Sequence, residues 1–191
     1  MKPEVGKWVR TRATANRCAA ALMAAAALLS APCKLPAQTA SNVYRNSDEL
    51  YQFQPPAGWE QKPDMPKLIT AYLGPVEGDF TVNLTVSVYT SRVDDGDLDK
   101  FVKDIKIEHG DITNRVKTTL GGRKAWAWRT KLTIPGHPKA ENRQVVCIYN
   151  HRAYELAMTT PYGLMKSKYD SVFEKWVGSF VWLNPIRSPR K

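Results

Sequence analysis

Val145-Val146-Cys147-Ile148-Tyr149-Asn150-His151-Arg152-Ala153-Tyr154-Glu155-Leu156-Ala157-Met158 reads as two strands joined by a two-residue turn at Asn150-His151. A helix is expected next, from Leu164 to Val177, and then the closing run Gly178-Ser179-Phe180-Val181-Trp182. The helix places Met165, Tyr169, Val172, Phe173, Trp176 and Val177 on one side. Lys166, Lys168, Glu174 and Lys175 fall on the other, with Asp170 near the edge. An apolar stripe at this spacing is the signature of a helix laid on a core. A hairpin, an amphipathic helix and a terminal aromatic strand make the second half of an antiparallel domain.

The first half carries matching signals. Phe80, Val82, Leu84, Val86 and Val88 alternate with Thr81, Asn83, Thr85 and Ser87, a period of two that buries one strand face and leaves the other wetter. Leu98, Phe101, Val102 and Ile105 form a second helical stripe, with Asp97 expected as its N-cap and Gly110 as its stop. Ile112 to Leu120 and Lys124 to Ile134 read as a hairpin about Gly121-Gly122. Upstream, Tyr51-Gln52-Phe53 meets Pro55-Pro56, which stop the strand, and Gly58 permits the turn that lets Trp59 fold back. Leu68 to Leu73 reads as a short strand ended by Gly74-Pro75. The expected fold is α+β, a mostly antiparallel sheet of six to seven strands flanked by helices.

Tyr51-x-Phe53-x-x-Pro56-x-Gly58-Trp59, the strand from Phe80, the mid-chain helix and the closing hairpin are joined by Tyr169-x-x-x-Phe173-x-x-Trp176-Val177-x-Ser179-Phe180. Together, over residues 43–182, they resemble the PsbP-like superfamily. That superfamily includes photosystem II extrinsic protein P, a Ran-binding nuclear import factor, DcrB-type bacterial envelope lipoproteins and certain effector chaperones. The resemblance implies an α/β/α sandwich. It implies a protein that binds or stabilises other proteins, and it transfers no catalytic site, since the superfamily has none in common.

Residues 1–37 read as a secretory signal peptide. Lys2, Lys7, Arg10, Arg12 and Arg17 precede an uncharged, Ala- and Leu-rich stretch from Cys18 to Ala31, and Leu35-Pro36-Ala37 supplies a small-residue exit. The apolar stretch of about 14 residues is short of the ~20 that span a bilayer. Cleavage is expected after Ala37, with Ala40 as second choice. Cys33 offers a rival, lipidation, but Pro32 before it is a poor fit. The chain has 28 basic and 18 acidic residues; residues 1–37 take away six and one, leaving 22 and 17, net +5. Nucleic acid is therefore not the expected partner of an exported chain. An anionic membrane surface or glycan suits the remaining charge. With Cys18 and Cys33 removed, only Cys147 remains, so no internal disulfide can form. Residues 38–46 are expected as a flexible lead-in, 47–183 as a single domain and 184–191 as a basic C-terminal tail.

One stretch stands out as a binding candidate. Arg123-Lys124-Ala125-Trp126-Ala127-Trp128-Arg129-Thr130-Lys131 interleaves bases with aromatics. On a strand, Trp126 and Trp128 share one face, while Arg123, Arg129 and Lys131 share the other with Ala125 and Ala127. The plain reading is two core tryptophans under a helix and a solvated basic face. The functional reading is a recognition surface of Arg123, Trp126, Trp128, Arg129 and Lys131, since arginine and tryptophan are enriched at binding hot spots.

Other candidates are weaker. Cys147 would need a base and a lowered pKa to act as a nucleophile, and its mid-strand position fits a small buried hydrophobe. Asp94, Asp95, Asp97 and Asp99 lack the later glycine and glutamate of a calcium loop, so helix capping accounts for them. His109, His137 and His151 are scattered, without metal-ligand spacing. Glu155 and Glu174 are isolated in sequence, giving no basis for a glycosidase pair. The expectation is an exported, non-enzymatic interaction or stabilising protein of the bacterial cell envelope, with an envelope protein as partner and no cofactor or metal. The alternative is a binder of a small ligand, lipid or glycan in a cleft lined by aromatics such as Trp126 or Trp128. A hydrolase or redox enzyme using Cys147 stands third.

Overall fold

The alternation from Phe80 sets the register of the whole sheet. Leu84 faces Met158, Val86 faces Leu156 and Val88 faces Tyr154. The rows continue through Val145 and Cys147 to Ala127 and Ala125. All of these side chains are buried. The computed structural model describes residues 43–63, 65–66, 68–89, 95–107 and 109–183. The leader with both cleavage sites, Cys33, Asp94 and the tail at 184–191 lie outside them.

The elements in chain order are β1 (Tyr44–Asn46), β2 (Tyr51–Phe53), β3 (Glu60–Gln61), β4 (Ile69–Glu77), β5 (Phe80–Val88), α1 (Leu98–Asp104), β6 (Gly110–Leu120), β7 (Arg123–Leu132), β8 (Ala140–Tyr149), β9 (Arg152–Pro161), α2 (Asp170–Gly178) and β10 (Val181–Trp182). Seven strands make one antiparallel sheet in the order β3-β4-β5-β9-β8-β7-β6. The segment holding α1 carries the chain from β5 to the far edge. The β6–β9 meander then returns to pair β9 with β5. Asn150 (φ 50) with His151 (φ 61), and Gly121 (φ 52) with Gly122 (φ 79), supply the paired positive φ of two-residue hairpin turns. The expected α+β fold with its antiparallel sheet is the one observed.

The two sheet faces differ. One carries the main core, where Met165, Tyr169, Phe173 and Trp176 lie over the ladder just described. Burying one such large apolar side chain stabilises by about 1.5–3 kcal/mol. The helical stripe is the expected one, but its first turn, Met165–Tyr169, is a π-turn and the α-helix starts only at Asp170. The wider turn keeps Met165 and Tyr169 on the buried side with Phe173. Tyr169 OH donates to Glu77 Oε1 at 2.5 Å, tying this turn to β4.

A separate three-stranded sheet, β1-β2-β10, seals the end of the core. Tyr44–Asn46, within the stretch expected as lead-in, is its first strand. Tyr51 stacks on Phe180 (5.5 Å) and Phe53 meets Trp176 edge-on (5.9 Å). Trp182 Nε1 donates to the Leu120 carbonyl at 3.0 Å. A Cβ on Gly121 would sit 2.7 Å from Trp182 Cδ1, so this turn needs glycine for space as well as for φ.

On the opposite face, Leu98 and Val102 of α1 cover Trp128, Val146, Ile148 and Ala153. Beside them runs a buried polar band of Asn83, Thr130, Asn142, Gln144 and Thr159.

Three local expectations are corrected. Gly74-Pro75 does not end β4; the strand continues to Glu77 through a bulge between Leu73 and Val76. Trp59 packs onto that bulge so closely that a Cβ at Gly74 would lie 2.5 Å from its ring. Asp97 stands at the N-cap of α1 but makes no side-chain cap hydrogen bond, because a 3-10 turn at Asp95–Asp97 leads into the helix. Gly110 does not stop α1, which ends at Asp104; it opens β6, where a Cβ would meet Thr130 at 2.6 Å.

Candidate functional site

β6 and β7 form an edge hairpin with six basic residues, Arg115, Lys117, Arg123, Lys124, Arg129 and Lys131, against one acid, Asp111. The five candidate side chains all sit on β7, but the pleat divides them. Trp126 and Trp128 lie on the α1 side; Arg123, Arg129 and Lys131 lie on the α2 side.

On the α1 side, Trp128 is 2% exposed and belongs to the core under α1, as the plain reading expected. Its Nε1 is buried without a hydrogen-bond partner. Trp126 is only half-buried. Its Nε1 donates to Asp99 Oδ1 at 2.7 Å, and Lys117 Nζ lies 5.4 Å from its ring centroid. The Trp126 N–H, followed by Lys117, holds the Asp99 carboxyl below the usual carboxylate range. Asp99 stands in the first turn of α1, as expected of an acid at the helix's positive end, and also ties α1 to the hairpin.

The α2 side is a solvated basic face only near the strand ends. Ala125 and Ala127 are buried in the main core, since α2 lies over them. Arg129 is half-buried and pairs with Asp170 of α2 at 2.5 Å. Arg143 of β8 reaches the same carboxylate at 3.0 Å and also pairs with Glu174. Arg129 is thus spent on fixing α2. Arg123 and Lys131, nearer the strand ends, are exposed. Arg123 lies 4.2 Å over the Tyr149 ring, and Lys131 lies 5.8 Å from that of Tyr162.

The hairpin therefore presents Arg123, Lys131 and the rim of Trp126 to solvent, joined by Lys117, Lys124 and Val116, which sequence reasoning left out. Val116 is 53% exposed and the Lys117 side chain 72%. One signal could have found them: after Val116, Lys117-Thr118-Thr119 places polar side chains on both strand faces, as suits an edge.

The remaining candidates are placed elsewhere. Cys147 is fully buried and its thiol donates to the Lys124 carbonyl at 3.3 Å. His109, His137 and His151 are exposed in three separate turns. Among the described residues no three His, Cys, Asp or Glu side chains converge as a metal site. Glu174 is on α2, on the other side of the sheet from Glu155. The Glu155 carboxyl accepts from Tyr89 OH and from Gln144 Nε2 (2.5 Å), and burial raises its pKa against the pull of both donors. A cleft of about 240 Å³ lies between Tyr44, Lys62, Met65, Ile69 and Thr70, away from both tryptophans.

No protein-family model matches the chain, and no curated protein matches it. Solved structures do. Cyanobacterial PsbP (CyanoP) from Synechocystis sp. PCC 6803 aligns with a TM-score of 0.51 and 13% identity, covering 80% of this chain and 98% of its own. LpqN of Mycobacterium tuberculosis, described as involved in cell envelope biogenesis, aligns with a TM-score of 0.53 and 13% identity, covering 75% and 90%. At such identity the likeness is one of fold, and the fold of this chain is the PsbP-like fold.

Proposed function

We propose that this chain is an exported, non-enzymatic interaction protein of the bacterial cell envelope. In this reading residues 1–37 direct export and are removed after Ala37, and the PsbP-like domain docks an envelope protein on the outside of the β6–β7 hairpin. The observation that carries it is the basic rim of one edge hairpin, where Arg123, Lys124 and Lys131 are exposed around the half-buried Trp126 and Lys117, paired at the surface with Asp99 at 3.5 Å, joins them. Arginine and tryptophan are the residue types that most often anchor interfaces. The likeness of fold to LpqN supports the location, and the inward-facing thiol of Cys147 gives no support to a nucleophile.

Two measurements test the reading. Expression of the full chain in a Gram-negative host, followed by fractionation and N-terminal sequencing, is expected to give a periplasmic protein beginning at Gln38. Cross-linking capture from envelope extracts is expected to return one saturable protein partner, competed by excess unlabelled protein. A cytoplasmic, uncleaved product, or repeated captures with no saturable partner, overturns it.

A further inference from the structure

We propose that the open edge of β6 takes up an acidic, extended peptide segment of the partner as an eighth strand of the sheet. The inference rests on the interaction reading above and names the surface and chemistry through which it would work.

The two ends of the sheet are finished differently. At one end, β4 is shielded by the two-residue strand β3 and broken by a bulge that contains Pro75. Short edge strands, bulges and prolines are the usual means of preventing further pairing. At the other end, β6 is 11 residues long and is last in the strand order, with no neighbour on its outer side among the described residues. Its bulge falls between Thr113 and Val116. Beyond it, Val116 to Leu120 pair with Ala127 to Arg123 in unbroken register. Val116, Lys117, Thr118 and Thr119 are all exposed. A straight strand end with β-branched residues is a template on which a further chain can pair through its backbone.

The charge selects the occupant. A second copy of this chain, paired edge to edge, would set one strongly basic hairpin against another, and like charges facing across strands repel. An acidic segment is attracted instead. Its alternate side chains would divide between the faces. One set meets Lys117 and Lys124 on the α1 side, beside the half-buried Trp126. The other meets Val116 and Thr118 on the α2 side, which suits Val or Thr.

The test uses the whole mature domain and fluorescence anisotropy with labelled peptides of about eight residues, long enough to span the straight edge. The parent alternates Glu with Val or Thr. A second peptide has the same sequence with alternate amides N-methylated, and a third carries Lys for Glu. Saturable binding of the parent is expected, with about tenfold weaker binding of the methylated form through lost backbone hydrogen bonds. No binding of the Lys form is expected. The double variant K117E/K124E should lose at least about tenfold for the parent. Both side chains are solvent-exposed, so its circular dichroism should match wild type; K124E alone serves if the double variant does not fold. Equal binding of parent and methylated peptides overturns strand addition, as does undiminished binding by the charge-reversed variants. Preference for phosphatidylglycerol vesicles over the parent peptide overturns it in favour of a membrane surface. If K117E/K124E still captures the same envelope partner as wild type, the β6 edge is wrong and the interaction reading stands. If wild type captures no partner and binds no peptide, both fail.

Discussion

Replacing Trp128 by Phe sets two effects of similar size against each other. The indole is 2% exposed, sealed by Leu98 and Val102, and its N–H is buried without a partner. An unsatisfied buried donor costs about 1–3 kcal/mol, which the substitution recovers. Trimming the indole to a phenyl ring leaves a void of about 40 Å³, worth about 1 kcal/mol at ~24 cal/mol per Å³. The lost apolar contact adds about 1 kcal/mol. Arg115, 5.8 Å from the ring centroid, loses part of a cation–π contact worth about 0.5 kcal/mol. The terms largely offset, so Trp128→Phe should cost no more than about 1.5 kcal/mol, unusually little for trimming a core tryptophan. Urea unfolding followed by far-UV circular dichroism measures it as a shift of midpoint at constant slope. A loss above about 2 kcal/mol refutes the premise that this N–H carries an uncompensated desolvation cost.

Trp126→Phe removes the donor that depresses the Asp99 carboxyl, so an NMR titration should show that carboxyl moving up toward its ordinary value; an unmoved titration assigns the depression to Lys117. Gly74→Ala should destabilise by about 1–3 kcal/mol in thermal or urea unfolding, because its Cβ collides with Trp59, and should be near neutral in a Trp59→Ala background. Asp170→Asn leaves Arg129 and Arg143 facing each other with one carboxylate fewer. The half-buried setting places the cost at about 2 kcal/mol, between exposed and buried pairs, and equal stability of the variant would show the clamp to be ornamental. Glu155 has a folded pKa above its unfolded one, so its ionisation opposes folding. Below the unfolded value near 4.5 the carboxyl is protonated in both states and no stability is lost; the loss sets in above that value and grows as pH rises through the raised folded value. Glu155→Gln should therefore gain on wild type as pH rises from 4 toward neutrality, and a flat difference in urea midpoints over that range would count against it.

Periodic segments were legible and tertiary ones were not. The strand from Phe80 and the stripe Met165, Tyr169, Phe173, Trp176 declare which side is buried, because burial alone explains their spacing. The β1-β2-β10 sheet could not be read as a separate unit: its strands are two or three residues long, too short to show a period. The bulge at Gly74-Pro75 looked like a strand end because the cause of the glycine, the Trp59 ring, arrives from 15 residues upstream. The binding stretch was legible as composition. What composition could not divide was Arg129 from Arg123. Both stand on one face of β7, but the carboxylate that occupies Arg129 comes from Asp170, 41 residues later.

That division bears on where recognition can occur. α2 and the small sheet close one face over the apolar ladder, while α1 closes the other over Trp128. Side chains that serve those closures cannot also meet a partner without uncovering a core, which a marginally stable domain does not tolerate. Trp128 and Arg129 are therefore poor positions for a docking variant, and Asp170 is worse. Arg123, Lys117 and Lys124 contribute little to the fold through exposed contacts, so charge reversal there should separate binding from stability. The open edge of β6 joins these groups to a row of backbone that has no neighbour among the described residues. It thereby combines charge selection with a directional hydrogen-bonding template, which exposed lysines alone do not supply.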